Sequence, residues 1–308
     1  SIMKFYNLSL LLSLLAVLYS GPAFAKKIEV NGLKVKVSYF RKRAAVLGPQ
    51  NKDSFTVDSL FVPDFFDYNG RKYKAASISG FDSCNSLIYI SLPSSCEVID
   101  EMAFAECKSL VQVELTEGIR IIGKEAFRNC PDLSMVKLPP SIEEFKEACF
   151  QGCVSIEELV LPPLITEIPD AFLETITTFL RPSSESYHQA SKLRSITIGP
   201  NVKTIGNWAF AGNIVHEVVI PENVQSIGID AFASHNTLSD VYCLSKNPPV
   251  IDTGIETAEN SDWSFHFVGP HKQKSEYSKR TLYVPKGHLE DYQKTPGWNM
   301  FDYIIEIQ

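Results

Sequence analysis

The side chains best equipped for chemistry are seven cysteines, at positions 84, 96, 107, 130, 149, 153 and 243. Thiolates attack carbonyls, exchange disulfides and ligate zinc, so their spacing decides what they are for. Cys84, Cys107, Cys130 and Cys153 are 23 residues apart at every step, and Asn213 and His235 stand at the same position further on. A period that long puts one thiol on each of four successive structural units. Parallel side chains on neighbouring rungs, about 4.8 Å apart, make the disulfide torsion awkward. A ladder also does not converge as the ligands of zinc must. The expectation is buried free thiols that hydrogen-bond the turn leading into the next strand. Cys149 reads as core, while Cys96 and Cys243 carry no assignment.

The other candidates are weaker. His188, His216, His235, His266, His271 and His288 form no paired-ligand motif, although His266 and His271 share a polar stretch. No nucleophile elbow, phosphate loop or dinucleotide fingerprint occurs. The carboxylate pairs Glu143-Glu144 and Glu157-Glu158 fall inside the repeating unit and read as solvated faces rather than an acid and a base. The sequence therefore predicts no catalytic residue, no metal site and no cofactor.

The elements that carry these residues repeat. Ala103-Phe104, Ala126-Phe127, Cys149-Phe150 and Ala171-Phe172 follow one another at 23, 23 and 22 residues. Ala209-Phe210 and Ala231-Phe232 continue the series, and Gly80-Phe81 precedes it. One unit is written about seven times: Leu-x-x-Val-x-Leu, a Pro after several copies, then Val-x-x-Ile-Gly-x-x-Ala-Phe-x-x-Cys. The period of two in Val113 and Leu115 marks a short strand. The prolines at 93, 139, 162, 200 and 221 end such strands, because proline cannot donate to a ladder. Pro169 stands where other copies carry Gly123, Gly206 or Gly228, so a left-handed backbone is not what those glycines serve. A short helical or 3₁₀ turn is expected there, with Pro169 at its first position. A single unit buries too little to offset the ordering of 23 residues, so the units must stack.

The run Val113 to Leu133, with Ile121-Ile122-Gly123-Lys124-Glu125-Ala126-Phe127 at its centre, resembles the BspA-like leucine-rich-repeat proteins. The ending is similar too: Asn247-Pro248-Pro249, Leu282-Tyr283-Val284-Pro285-Lys286-Gly287, then Tyr292, Trp298 and Phe301. Together these cover about residues 78–308. The resemblance implies an α/β leucine-rich-repeat solenoid, a right-handed superhelix with a parallel β-sheet on its concave face. It also implies a bacterial, exported or surface-displayed protein associated with attachment to host or microbial surfaces.

The ends differ from the repeats. Met3 and Lys4, the apolar run Leu8 to Tyr19 and Ala23-Phe24-Ala25 read as a signal peptide cleaved before Lys26. The apolar run is shorter than a spanning helix needs, so no integral membrane segment is expected after cleavage. The expected location is the cell surface, the extracellular space or the periplasm. Residues 26–77 alternate around Asn31-Gly32 and Tyr68-Asn69-Gly70, with strands expected at Lys27 to Tyr39, Phe55 to Val62 and Lys72 to Ser77. They are read as an N-terminal β cap, residues 78–250 as the repeats, and residues 251–308 as a loop and C-terminal cap. About 15 residues are inserted after Phe172, giving a loop over 173–192.

In each Leu-x-x-Val-x-Leu the residues flanking the middle apolar one point away from the core. The binding candidates are therefore Tyr89, Gln112, Glu114, Met135, Lys137, Glu158, Val160, Ser195, Thr197, Glu217, Val219, Asp240 and Tyr242, with Ser91 beside them. Acidic residues outnumber Lys137, and the chain carries a net charge of -7. That excludes the basic footprint of nucleic-acid binding and suits a protein partner with basic groups. The leading expectation is a non-catalytic binding protein that recognises a host or microbial surface protein. A glycan-capture protein for nutrient acquisition stands as the alternative, with Trp263 as a further aromatic. A hydrolase with its site in the inserted loops is the third reading.

Overall fold

The computed structural model describes residues 25–39, 41–175, 191–233, 238–252 and 280–307. The signal-peptide segment, most of the 173–192 insertion and the histidines 188, 235, 266 and 271 lie outside the described residues.

The chain opens with β1 (Ala25–Val30), β2 (Leu33–Ser38) and β3 (Arg43–Pro49), an antiparallel meander. Asn31 and Gly32 both hold positive φ, as the two-residue turn between β1 and β2 requires. β4 (Ser59–Phe61), β5 (Phe65–Tyr68) and β6 (Arg71–Ile78) follow, and β5 and β6 form a second hairpin around Asn69-Gly70. The strand expected over Phe55 to Val62 contracts to β4, while Phe55 packs edge-on against Phe81. β3 carries no Ala-Phe unit and no turn signature that announces it.

From there each repeat contributes two short strands. The first series is β7 (Tyr89–Ser91), β9 (Gln112–Glu114), β11 (Met135–Lys137), β13 (Glu158–Val160), β15 (Ser195–Thr197), β17 (Glu217–Ile220) and β19 (Asp240–Cys243). The second is β8 (Val98–Ile99), β10 (Ile121–Ile122), β12 (Glu144–Phe145), β14 (Glu167–Ile168), β16 (Thr204–Ile205), β18 (Ser226–Ile227) and β20 (Val250–Ile251). The strand pairs within each series are parallel, residue for residue. The N-terminal strands join both: β4 pairs with β7, and β3–β6–β8 runs on into the second series. At the far end β21 (Thr281–Val284) and β22 (Tyr303–Glu306) extend the first series, also in parallel.

The described helices are few: α1 (Leu289–Lys294) and a 3₁₀ turn at Trp298–Met300. The expected helical turn within each repeat is instead a succession of β-turns. Ala103 N–H bonds Asp100 C=O and Ala105 N–H bonds Met102 C=O. Met102, Glu125, Ala148, Ala171, Trp208 and Asp230 each hold φ between 51 and 55°, which breaks any helix. The left-handed geometry aims alternate N–H groups at the next rung: Met102 at Lys124 C=O, Phe104 at Ala126 C=O and Glu106 at Arg128 C=O, at 2.7–2.9 Å. The strands donate the opposite way, toward the preceding rung, as in Gly123 N–H to Ile99 C=O. Three ladders thus tie regular rungs together.

The core lies between the strands and the turns. Phe81, Phe104, Phe127 and Phe150 stack at 5.3–5.5 Å with interplanar angles of 6–23°. The fourth repeat departs from this frame. Counting five residues beyond the second-strand Ile gives Phe104, Phe127 and Phe210 in their copies, but Leu173 after Ile168. The positive φ at Ala171, matching Met102 and Glu125, confirms the shift. The Ala-Phe position is therefore filled by Phe172 and Leu173, one residue later than the Ala171-Phe172 pair suggests. Leu173 precedes Phe210 by 37 residues, so the insertion is 14 residues. Phe172, in the small-residue slot, turns edge-on to both Phe150 and Phe210.

The ending packs on the last repeat. Tyr292 Oη donates to Ser245 C=O at 2.7 Å, and Trp298 Nε1 donates to Pro249 C=O at 2.7 Å. Both rings are fully buried.

Candidate functional site

All thirteen binding candidates lie in the first series of strands. The strand pattern explains why. Ile90, Val113, Leu159, Ile196, Val218 and Val241 point into the core, so their neighbours point out. Glu114, Met135, Lys137, Glu158, Val160, Ser195, Thr197, Glu217 and Val219 are exposed; Tyr89, Gln112, Asp240 and Tyr242 are half-buried. Cross-strand register arranges them in rows. Tyr89, Gln112 and Met135 stand side by side, as do Ser91, Glu114 and Lys137. Glu158 faces Ser195, and Val160 faces Thr197. Glu217 lies beside Asp240, and Val219 beside Tyr242.

The rows extend past the residues legible in the sequence. Ser59 and Phe61 of β4 lengthen the first two rows. Thr281 and Tyr283 of β21 lengthen the last two, followed by Tyr303 and Ile305 of β22. Tyr242 and Tyr283 stack at 4.4 Å with an 8° interplanar angle, so each ring spends one face on the other. The alternations Leu60-Phe61-Val62 and Leu282-Tyr283-Val284 carry this signal, but neither belongs to an Ala-Phe unit. Tyr89 donates to Glu114, and that bond together with partial burial raises the phenol pKa. Burial and the Asp240 carboxylate raise that of Tyr283. The face is thus mildly acidic, with apolar patches at Met135, Val160 and Val219, which are 52%, 65% and 39% exposed.

The cysteines are all free and buried. Cys107, Cys130 and Cys153 donate to the carbonyls of Phe81, Phe104 and Phe127 at 3.0–3.2 Å, one rung back rather than into the strand ahead. Asn213 does the same with its amide, reaching Leu173 and Phe210 C=O at 2.8 Å and accepting from Ser191 at 2.6 Å. Burial pushes the Cys84 thiol up to about 11 and that of Cys96 to about 12. The Cys153 thiol and burial raise Cys130. Such thiols are poor nucleophiles. Among the described residues no three His, Cys, Asp or Glu side chains gather as a metal site. Glu143 is held by Arg120 and Glu144 by Lys146, consistent with solvated ion pairs.

A groove of about 250 Å³ runs along the second series, lined by Glu167, Asp170, Thr204, Asn207, Ser226 and Asp252 among others. Asp170 in it already accepts from the backbone and side-chain amides of Asn207, at 2.7 and 3.2 Å. Among the described residues no helix is long and apolar enough to cross a membrane.

Comparison with known proteins fits this geometry. The BspA type leucine rich repeat region matches the chain in six copies, over residues 76–181 and 181–253. No curated protein sequence matches significantly. A leucine rich cell surface protein from Faecalibacterium prausnitzii A2-165 shares the fold, with a TM-score of 0.64 and 18% identity over 84% of this chain and 70% of that one. A leucine-rich repeat protein of T. pallidum is 22% identical over 71% of this chain and 86% of its own, at a TM-score of 0.49. One from Bacteroides ovatus ATCC 8483 is 15% identical over 91% and 76%, at 0.45. With repeats of one type matched across more than half of its length, the chain belongs to the BspA-type leucine-rich-repeat family.

Proposed function

We propose that this chain is an exported, non-catalytic binding protein that attaches to a host or microbial surface protein through the outward face of its first strand series and the adjoining loops. The observation that carries the reading is the face itself. Side chains from paired rungs stand in register, with exposed Glu114, Glu158 and Glu217 and half-buried Asp240 set among exposed Met135, Val160 and Val219 and half-buried Tyr242. Apolar contacts ringed by acidic groups suit a protein surface that carries Lys or Arg. Family membership and the cell-surface description of the F. prausnitzii protein support the location.

The same reading makes the chain a right-handed solenoid with this face concave. Residues 26–77 act as an N-terminal cap, residues 78–250 as the repeats, and residues 251–308 as a loop and C-terminal cap. The pairing of β4 and β6 with the first repeat supports the first cap, and the burial of Tyr292 and Trp298 supports the second. Glycan capture is the second reading, favoured by the Tyr242–Tyr283 pair with Asp240 beside it.

The test is a binding screen. The purified chain and its Glu114→Lys/Glu158→Lys variant are offered to arrays of host matrix proteins, mucins and glycans. A saturable protein signal, weakened at least tenfold in the variant, is the expected result. A glycan signal lost on Tyr283→Ala selects the second reading, and a protein signal indifferent to the charge reversal moves the site to the loops.

A further inference from the structure

The seam between the third and fourth repeats is built differently from its neighbours. In the first series β11 pairs with β9 and β13 pairs with β15, but β11 and β13 belong to separate sheets. In the second series β12 pairs with β10 and β14 with β16, and again the sheet is interrupted between β12 and β14. The first series is also interrupted between β15 and β17, yet there β16 and β18 remain paired in the second. Among the described residues, only at the third seam do both strand ladders stop together.

Pro169 supplies a cause. Its position is the one from which Asp100, Gly123, Lys146, Gly206 and Gly228 donate N–H to the preceding rung, at 2.8–2.9 Å. Proline has no N–H to give. The turn ladder alone continues across, through Ala148 to Asp170, Phe150 to Phe172 and Gly152 to Glu174 at 2.8–3.0 Å. Gln151 reinforces it with a 2.7 Å bond to Glu174. On the strand side the seam is open enough to admit solvent. Val136 and Leu138, at core positions, are only partly buried, whereas their counterparts Val113, Leu115, Leu159 and Leu161 are buried.

We propose that this seam is a hinge. Its axis is the intact turn ladder, and its opening side is the binding face between Met135 and Lys137 on one lip and Glu158 and Val160 on the other. Elements joined by fewer hydrogen bonds open at lower free energy than the units they connect. Residues up to about 153 and from about 154 then move as two bodies, and the face adjusts its curvature to what it meets. The inference holds whatever the partner is.

Two measurements on the full chain test it. Amide exchange of the strand N–H groups aimed at the seam, in β13 and β14, is expected to be at least tenfold faster than that of their counterparts in β9, β10, β15 and β16. Equal protection overturns the hinge. Spin labels at Gln112→Cys and Ser195→Cys span three strand steps across the seam. Labels at Ser59→Cys and Met135→Cys span three steps within one body. The native cysteines are buried and escape labelling. The first pair is expected to give a distance distribution at least twice as wide, narrowed to the width of the second by Pro169→Ala, which restores the N–H. Equal widths, or a width that Pro169→Ala leaves unchanged, overturn the proposal.

Discussion

The first three repeats and the stretch beyond them solve one packing problem with different chemistry. Described rungs satisfy the carbonyl at the Phe position of the rung before them, deep in the core, that position being Leu173 ahead of Asn213. Residues 81–153 do this with thiols and fill the space with four stacked phenyl rings. Beyond the fourth repeat Asn213, braced by Ser191, does it with an amide, and the ring column is interrupted by Leu173 and the turned Phe172. The thiol is a weak donor but packs like a small hydrophobe. The amide is a strong donor that needs every one of its bonds made. The comparison teaches that the repeat specifies a place and a hydrogen bond, and leaves the residue that serves them free to change.

Alkali should separate the two halves most strongly. Folding raises the thiol pKa values of Cys84, Cys96, Cys107, Cys130 and Cys149 in the first region above their ordinary value near 9, chiefly by burial, or for Cys130 by the neighbouring Cys153 thiol and burial, against Cys243 alone in the second, pushed up to about 11 by burial. The folded chain therefore keeps protons that the unfolded chain releases. Stability is intact below pH 9 and falls as pH rises toward the folded-state values, near 11 for Cys84 and near 12 for Cys96. Each thiol contributes up to about 1.4 kcal/mol per pH unit in that window. Denaturant midpoints measured at pH 8, 9 and 10 should drop steeply above 9. Exchange at the same pH values should show residues 81–153 opening before 193–243. A flat midpoint, or opening that begins in the second region, breaks the comparison.

The ring column gives the next effect. Phe127→Ala removes a phenyl sandwiched between Phe104 and Phe150 and should cost about 3–5 kcal/mol. In the fourth repeat, Leu173→Phe alone adds a ring beside Phe172 and should cost about 1–3 kcal/mol through overpacking. The double change Phe172→Ala/Leu173→Phe rewrites the regular pair in the right frame. Its cost should fall below the sum of the single costs by more than about 0.5 kcal/mol, the scatter of additive pairs. Strict additivity in urea titrations would place the frame shift elsewhere.

That frame shift marks where the sequence stops being legible. The 23-residue period, the short strands and the outward residues could be read directly, because alternation in Leu-x-x-Val-x-Leu leaves one way to bury the apolar set. The thiols could be read as free, since a ladder neither converges nor crosses. The fourth repeat was misread, because Ala171-Phe172 offers a pair of the right types one residue early, and it takes the count of five from Ile168, with the positive φ at Ala171, to assign the slot to Phe172-Leu173. The turn was misread as helical for a related reason. Pro169 fits the start of a helix, but left-handed residues of ordinary type, such as Glu125 and Trp208, leave no mark in composition. β21 and β22 join the outward face of the first series through strand pairing over a long separation in the chain, which local pattern cannot reveal.

The smallest effect tests those left-handed positions. Regular repeats such as those at 102–106, 125–129, 148–152 and 208–212 have two, one before the small residue and one two residues beyond the Phe, whereas in the fourth repeat Ala171 is left-handed and Thr175 is not. The second is filled by Ser83, Glu106 and Asn129 early in the chain, and by Gly152 and Gly212 later. The first is filled by no glycine in any described repeat, although Ala148 and Ala171 hold φ of 55° and 51°. An L-residue there bears about 1–2 kcal/mol of backbone strain, against the roughly 0.5–1 kcal/mol that glycine's unfolded freedom costs. Ala171→Gly, at a residue whose N–H bonds Asn207 C=O across a seam with both strand ladders intact, should therefore stabilise by up to about 1 kcal/mol, read as a small rise in the urea midpoint. Ala148→Gly should do less, because its N–H is one of the turn bonds that alone cross the seam, reaching Asp170 C=O at 3.0 Å, and glycine there also frees the hinge axis. Equal gains at both sites would mean that the axis is as rigid as the rungs around it.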